Sequence, residues 1–207
     1  MNEKQLGGWY SLRLTTALGN DWEFNTEIHD RNWNIIGDLQ QFVMGFGFRK
    51  KVASKGIALT MFNSYFLSKK PFPESNFIPE YRVHQEILIP KIIWKRLNLN
   101  TLLRIEERFI QNQPFRLRTR LNQIVRIPLN NKDIKDNTIY LEVSNEVFLN
   151  PKLSSKNSNL KYFDLNRFSF GVGWKTSKNV VLELGIMNQT TSSWSKNQFM
   201  IGTRFSI

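Results

Sequence analysis

Residues 103–121 read LRIEERFIQNQPFRLRTRL. Six of the seven charges fall on every second position, Arg104, Glu106 and Arg108, then Arg116, Arg118 and Arg120; Glu107 takes the other parity. Between them stand Leu103, Ile105, Phe109, Phe115, Leu117 and Leu121. A β-strand sends successive side chains to opposite faces, so this spacing makes a hairpin with one charged and one apolar face. With IQNQP at 110–114 as the turn, Arg104 stands across from Arg120, Glu106 from Arg118 and Arg108 from Arg116. One glutamate cannot balance five arginines, and opposite charges across a ladder stabilise while like charges repel. Neighbouring strands must therefore supply acid. Glu142 and Glu146 are placed to meet Arg116–Arg120 from one side, and Arg82 with Glu86 flanks the other.

The same period of two runs along most of the chain. Tyr10, Leu12, Leu14, Thr16 and Leu18 oppose Trp9, Ser11, Arg13 and Thr15. Phe42, Met44, Phe46 and Phe48 oppose Gln41, Val43, Gly45, Gly47 and Arg49. Ile139, Leu141, Val143, Val147 and Leu149 oppose Tyr140, Glu142, Ser144 and Glu146. Phe168, Phe170, Val172 and Trp174 oppose Arg167, Ser169, Gly171, Gly173 and Lys175. Turn signals such as GND at 19–21 and a polar, proline-containing stretch at 68–80 punctuate the runs. About eleven strand candidates emerge, the weakest over 22–34, and no linker divides them. The pattern predicts one all-β domain over 1–207, an up-and-down antiparallel barrel.

Composition narrows the function. There are no cysteines and only two histidines, so disulfides, thiolate chemistry and a histidine-rich metal centre are excluded, and no cofactor is expected. The net charge of +12 favours anionic partners. Nucleic acid is not expected among them, because aromatic and basic side chains take opposite strand faces and bases could not stack beside phosphate contacts.

A soluble barrel hides its apolar face, whereas a membrane barrel shows it to lipid. Strands of about 10–13 residues, against about 5–6 in soluble proteins, favour the membrane form. So do glycines on the polar face and aromatics toward strand ends (Trp9, Tyr10, Trp22, Trp33, Tyr65, Tyr81, Trp94, Phe148, Trp174, Trp194, Phe205). MNEKQL at 1–6 carries no secretory signal, so an outer-membrane location presupposes a leader already removed.

The stretches GGWYSLRLTTALGNDWEF, LLRIEERF, FRLRTRLNQIVRIPL, NEVFLN and FDLNRFSFGVGW resemble an outer-membrane barrel family, domain of unknown function 2490. The resemblance spans nearly the whole chain and implies a twelve-stranded barrel similar to small porins for acidic oligosaccharides. It carries over no catalytic residue. Single-chain bacterial barrels usually have an even number of strands, so eleven candidates point to twelve strands, with ten as the alternative.

The expected function is non-enzymatic: a small anion-preferring pore of the Gram-negative outer membrane. Its lumen cluster comprises Arg82, Glu86, Arg104, Glu106, Arg108, Arg116, Arg118, Arg120, Glu142, Glu146, Arg167, Glu183 and Arg204. Expected partners are the bilayer and lipopolysaccharide, met by lysine-rich loops at 68–70, 152–162 and 194–196, and an anionic solute or acidic oligosaccharide. Two alternatives stand beside it. One is a closed barrel serving an outer-membrane complex. The other is a lipid hydrolase built on His84, Glu86 and Ser64.

Overall fold

The computed structural model describes residues 5–52, 56–69, 76–94, 96–151 and 161–207. Among these, eleven strands form one closed barrel. They are β1 (Gly7–Gly19), β2 (Trp22–Asn32), β3 (Leu39–Lys51), β4 (Ala58–Lys69), β5 (Phe77–Ile93) and β6 (Leu97–Ile110). β7 (Arg116–Pro128), β8 (Thr138–Leu149), β9 (Phe163–Lys175), β10 (Val180–Thr191) and β11 (Ser195–Ser206) complete the wall. Consecutive strands are antiparallel throughout, as the meander reading requires.

The strand number is eleven rather than twelve or ten, and the reason lies in the closure. In an odd meander the first and last strands run the same way. Here β1 and β11 pair in parallel from Gly7↔Gln198 to Thr15↔Ser206. The weakly patterned 22–34 segment belongs to the wall: β2 is bonded to β1 and β3 along its length. Its hairpin with β1 turns at Asn20 and Asp21, both with positive φ, the geometry that matches strand twist in a tight turn.

Lateral registers define the tube. From Ile92 the ladder runs through Asn98, Arg126, Glu142, Gly171, Gly185, Met200, Trp9, Arg31, Gln41 and Ser68 to Ile78, back on β5. The shear is therefore 92 − 78 = 14 residues. With eleven strands about 4.8 Å apart and about 3.3 Å per residue, the strands tilt about 40° and the backbone radius is about 11 Å. A strand of thirteen residues then rises about 30 Å along the axis, enough for the roughly 25 Å apolar band of a membrane barrel.

The two faces separate as the alternation demands. Outward positions carry exposed Leu12, Met44, Phe46, Phe48, Leu103, Ile105, Phe170 and Leu184, while the inner face holds charges and amides. Tyr65, Tyr81, Phe109 and Phe115 stand side by side on the outer wall near the 111–115 turn. Trp22 and Trp174 stand near the opposite end. Some aromatics expected in such girdles reach the interior instead. Trp33 and Trp194 line the cavity from beyond the strand ends. Within the strands, Phe148 is fully buried and Trp9 lines the cavity. Their parity, shared with Glu146 and Arg13, decides this over their place near a strand end. Inward aromatics need room. A Cβ on Gly173 would lie 2.1 Å from Tyr140 Cζ, so glycine there lets the Tyr140 ring lie across β9.

Candidate functional site

The inner wall encloses a cavity of about 1200 Å³ reached by side chains from every strand. All thirteen residues of the expected cluster line it. The hairpin register is the one the spacing implies: Arg104↔Arg120, Glu106↔Arg118 and Arg108↔Arg116.

Glu106 is the centre of the upper layer, the half nearer the 111–115 turn. Arg118 donates from Nε and Nη2 to Glu106 Oε2 at 2.8 and 2.6 Å, and Arg120 Nη1 donates to Oε1 at 2.5 Å. Arg82 and Arg104 stand at 3.8 and 3.7 Å. Four guanidiniums thus share one carboxylate that is 1% exposed. That crowding is tolerable because each arginine has a second partner. Arg118 reaches Asp164 at 3.0 Å, Arg120 donates from Nε to Glu146 at 2.8 Å, and Arg104 donates to Glu86 at 2.6 Å. Arg82 forks onto Glu80 at 2.6 and 2.8 Å, and Arg108 forks onto the same carboxylate at 2.5 and 3.0 Å. Such bidentate pairs are the strongest of the charge-assisted hydrogen bonds.

Aromatic rings complete the layer. The guanidinium of Arg82 lies 3.6 Å from the Phe66 ring centre, and those of Arg120, Arg167 and Arg118 lie 4.4, 4.7 and 4.9 Å from Phe148. Arg31 and Arg167 also approach the Trp9 ring, at 3.7 and 4.9 Å. A cation over a ring face is attracted to its quadrupole, more so out of water.

The lower half is looser. Glu183 joins Arg204 at 2.7 Å and Arg13 at 2.9 Å, bridging β10, β11 and β1 across the parallel closure. Tyr140 accepts a hydrogen bond from Arg204 at 2.8 Å. Glu142 does not reach Arg116–Arg120. It lies directly across from Arg126 and accepts from it at 2.6 Å. Register is the cause: β8 places Glu146 opposite Asn122, near enough to Arg120, and Glu142 four residues further down.

Several members are absent from the cluster expected on sequence. Glu80 falls in a stretch expected to be loop, yet β5 begins at Phe77, and Glu80 continues the inward series of Arg82, His84 and Glu86. Carrying the period of two back through Pro79 would have found it. Arg13, Arg49, Arg126 and Asp164 share the inward parity too. Lys196, expected as a loop cation, lies at the start of β11, only 3% exposed, and donates to the Gln5 carbonyl at 2.9 Å. The lysine-rich stretches 68–70 and 152–162 fall partly outside the described residues, at position 70 and positions 152–160.

The hydrolase constellation does not assemble. His84 stacks on Phe62 with ring centres 5.1 Å apart, Glu86 is held by Arg104, and Ser64 lies across from Arg82 rather than His84. No Ser64–His84 hydrogen bond forms. Among the described residues no group of three His, Asp or Glu is arranged to hold a metal ion.

The class is thus a closed, mostly antiparallel β-barrel with an apolar outer wall and a charged, arginine-rich interior. The sequence model of a family described as a protein of unknown function, domain of unknown function 2490, matches residues 6–200. The chain belongs to that family. No curated protein matches it.

Proposed function

We propose that this barrel spans the bacterial outer membrane and acts without catalysis, its interior forming a narrow path that prefers anions. One observation carries the reading: the wall of the cavity is strongly basic. Twelve arginines and three lysines line it against seven carboxylates. Glu23 and Glu80, held by Arg49 and by Arg82 with Arg108, leave that excess in place. A charged ring or track of one sign lowers the barrier for ions of the other. The exposed apolar outer face supports the membrane setting, with lipid and lipopolysaccharide as surroundings and a small anionic solute or acidic oligosaccharide as the passenger.

Planar-bilayer recording tests this. Purified barrel should give channels whose reversal potential in a salt gradient is anion-selective, and Arg118→Glu should weaken that selectivity. Folded, inserted protein without conductance refutes the pore.

The burial of the upper layer favours a second reading, a closed barrel serving as an accessory subunit of an outer-membrane complex. Arg118 and Arg82 are only 5% and 6% exposed. An absence of conductance, with co-purification of a second outer-membrane protein, would establish it. Turnover of phospholipid that disappears in His84→Ala would instead restore the hydrolase.

A further inference from the structure

The outer wall is not uniformly convex. From Leu18 on β1 to Thr119 on β7 it holds an apolar hollow of about 1350 Å³. Two neighbouring outward rows form it. One runs Trp22, Lys50, Leu59, Ile87 and Leu103; the other runs Phe48, Met61, Gln85, Ile105 and Thr119. The floor reaches the strands themselves at Thr60, Glu86, Arg104 and Arg120, whose side chains point into the lumen. Asn63 and Gln85 interrupt the apolar lining higher on the wall.

Lys50 marks the lower mouth of the hollow. It stands at the end of β3, its ammonium 5.3 Å from the Trp22 ring centre and bonded to the Asn20 carbonyl at the tight turn. A tryptophan beside a lysine at a strand end is the side-chain pair that sits at headgroup depth. From Lys50 on β3 to Ile105 on β6 the hollow crosses three inter-strand spacings, about 14 Å, rising along the tilt of the ladder.

From this arrangement we infer that the hollow is a binding site for one phospholipid with a net negative headgroup. The phosphate pairs with Lys50, and an acyl chain lies between the two rows over Met61, Ile87 and Ile105. The inference rests on the membrane-spanning reading, because only a barrel in lipid presents this face to such a ligand. A volume above the usual 300–1,000 Å³ of small-molecule pockets suits a chain-bearing ligand. Lys50 selects charge: one cation near an anionic surface is worth about a fivefold preference.

Native mass spectrometry of the whole barrel tests the site, with phosphatidylglycerol and phosphatidylcholine as probes in mixed micelles. The wild type should retain one phosphatidylglycerol in preference to phosphatidylcholine. Lys50→Glu should lower that retention about fivefold or more, while Lys50→Arg keeps it. Ile87→Trp, which fills the hollow, should lower retention of both lipids, and Leu184→Trp on the far wall should lower neither. Heat-modifiable gel mobility identifies variants that fold. Folded, vesicle-inserted wild type that retains no phosphatidylglycerol, or retains it equally after Lys50→Glu, overturns this inference alone. Wild type that does not insert into vesicles overturns the membrane reading and the lipid site with it.

Discussion

Substituting Glu106→Gln removes one charge and almost no volume, so it isolates the electrostatic role of the carboxylate. In the structure Glu106 accepts three hydrogen bonds from Arg118 and Arg120 and has Arg82 and Arg104 within 3.8 Å. Losing one partner of a buried pair typically costs about 3–5 kcal/mol, because the remaining charge stays buried and uncompensated. Here four guanidiniums would lose the carboxylate they share, and each would keep only its second acid: Asp164 for Arg118, Glu146 for Arg120, Glu86 for Arg104 and Glu80 for Arg82. The comparison is Asp164→Asn, which weakens the same Arg118 from a more exposed position and should cost about 1 kcal/mol or less. Urea unfolding in detergent micelles, followed by tryptophan fluorescence, measures both, with an unchanged slope as the sign of an unaltered unfolding transition. Replacing Arg118 by Met in the Glu106→Gln background should restore part of the loss, since the two residues act as a pair. If Glu106→Gln costs no more than Asp164→Asn, the claim that this carboxylate organises the layer is wrong.

Other outcomes follow from the same geometry. Gly173→Ala should destabilise the barrel by about 1–3 kcal/mol through overlap with Tyr140, and Tyr140→Leu should relieve most of it; additive costs in the urea assay would count against the contact. Glu183→Gln should loosen the seam by about 1 kcal/mol, a modest figure because Arg13 is 42% exposed. Amides of β1 and β11 would then exchange about fivefold faster, while β5–β7 are unchanged; uniform acceleration would refute a seam-specific role. His84→Ala should cost about 1 kcal/mol through its lost stacking on Phe62 and leave the urea slope unchanged.

The hairpin at 103–121 is legible because every side chain's face follows from parity alone, and its tight turn leaves one register. Elsewhere parity is readable only where apolar and polar residues alternate cleanly. It loses out at Phe148 and Trp9, where an aromatic at an inward position is assigned outward by its place near a strand end. Such rings belong inside when guanidiniums need a face to lie on, as Arg118, Arg120 and Arg167 do around Phe148. The alternation does yield eleven strand candidates, and the even-number rule of bacterial barrels is what moves the expectation to twelve or ten. Nothing in the alternation says whether two edge strands will meet head to head or side by side, and β1 with β11 takes the parallel option. The partner of Glu142 depends on the stagger between β7 and β8, which spacing within either strand does not encode.

The dimensions of the tube bear directly on the choice between path and plug. A cylinder of about 11 Å radius and 30 Å length encloses on the order of 11,000 Å³, and inward side chains fill much of it around the 1200 Å³ cavity. The filling is uneven. The upper layer packs Arg82, Arg118, Glu106 and Phe148 to near-complete burial, whereas Arg13 and Arg204 below remain partly exposed. An anion entering from the lower end would meet accessible guanidiniums first, then a layer whose arginines already hold carboxylates. Passage requires it to replace Glu106 or Glu80 as a partner of those arginines, which is an exchange of like for like rather than the breaking of an apolar seal. The same ion pairs that hold the strands together would therefore set the height of the barrier. On the proposed pore reading, Glu106→Gln lowers stability and raises the current, so the two measurements move in opposite directions.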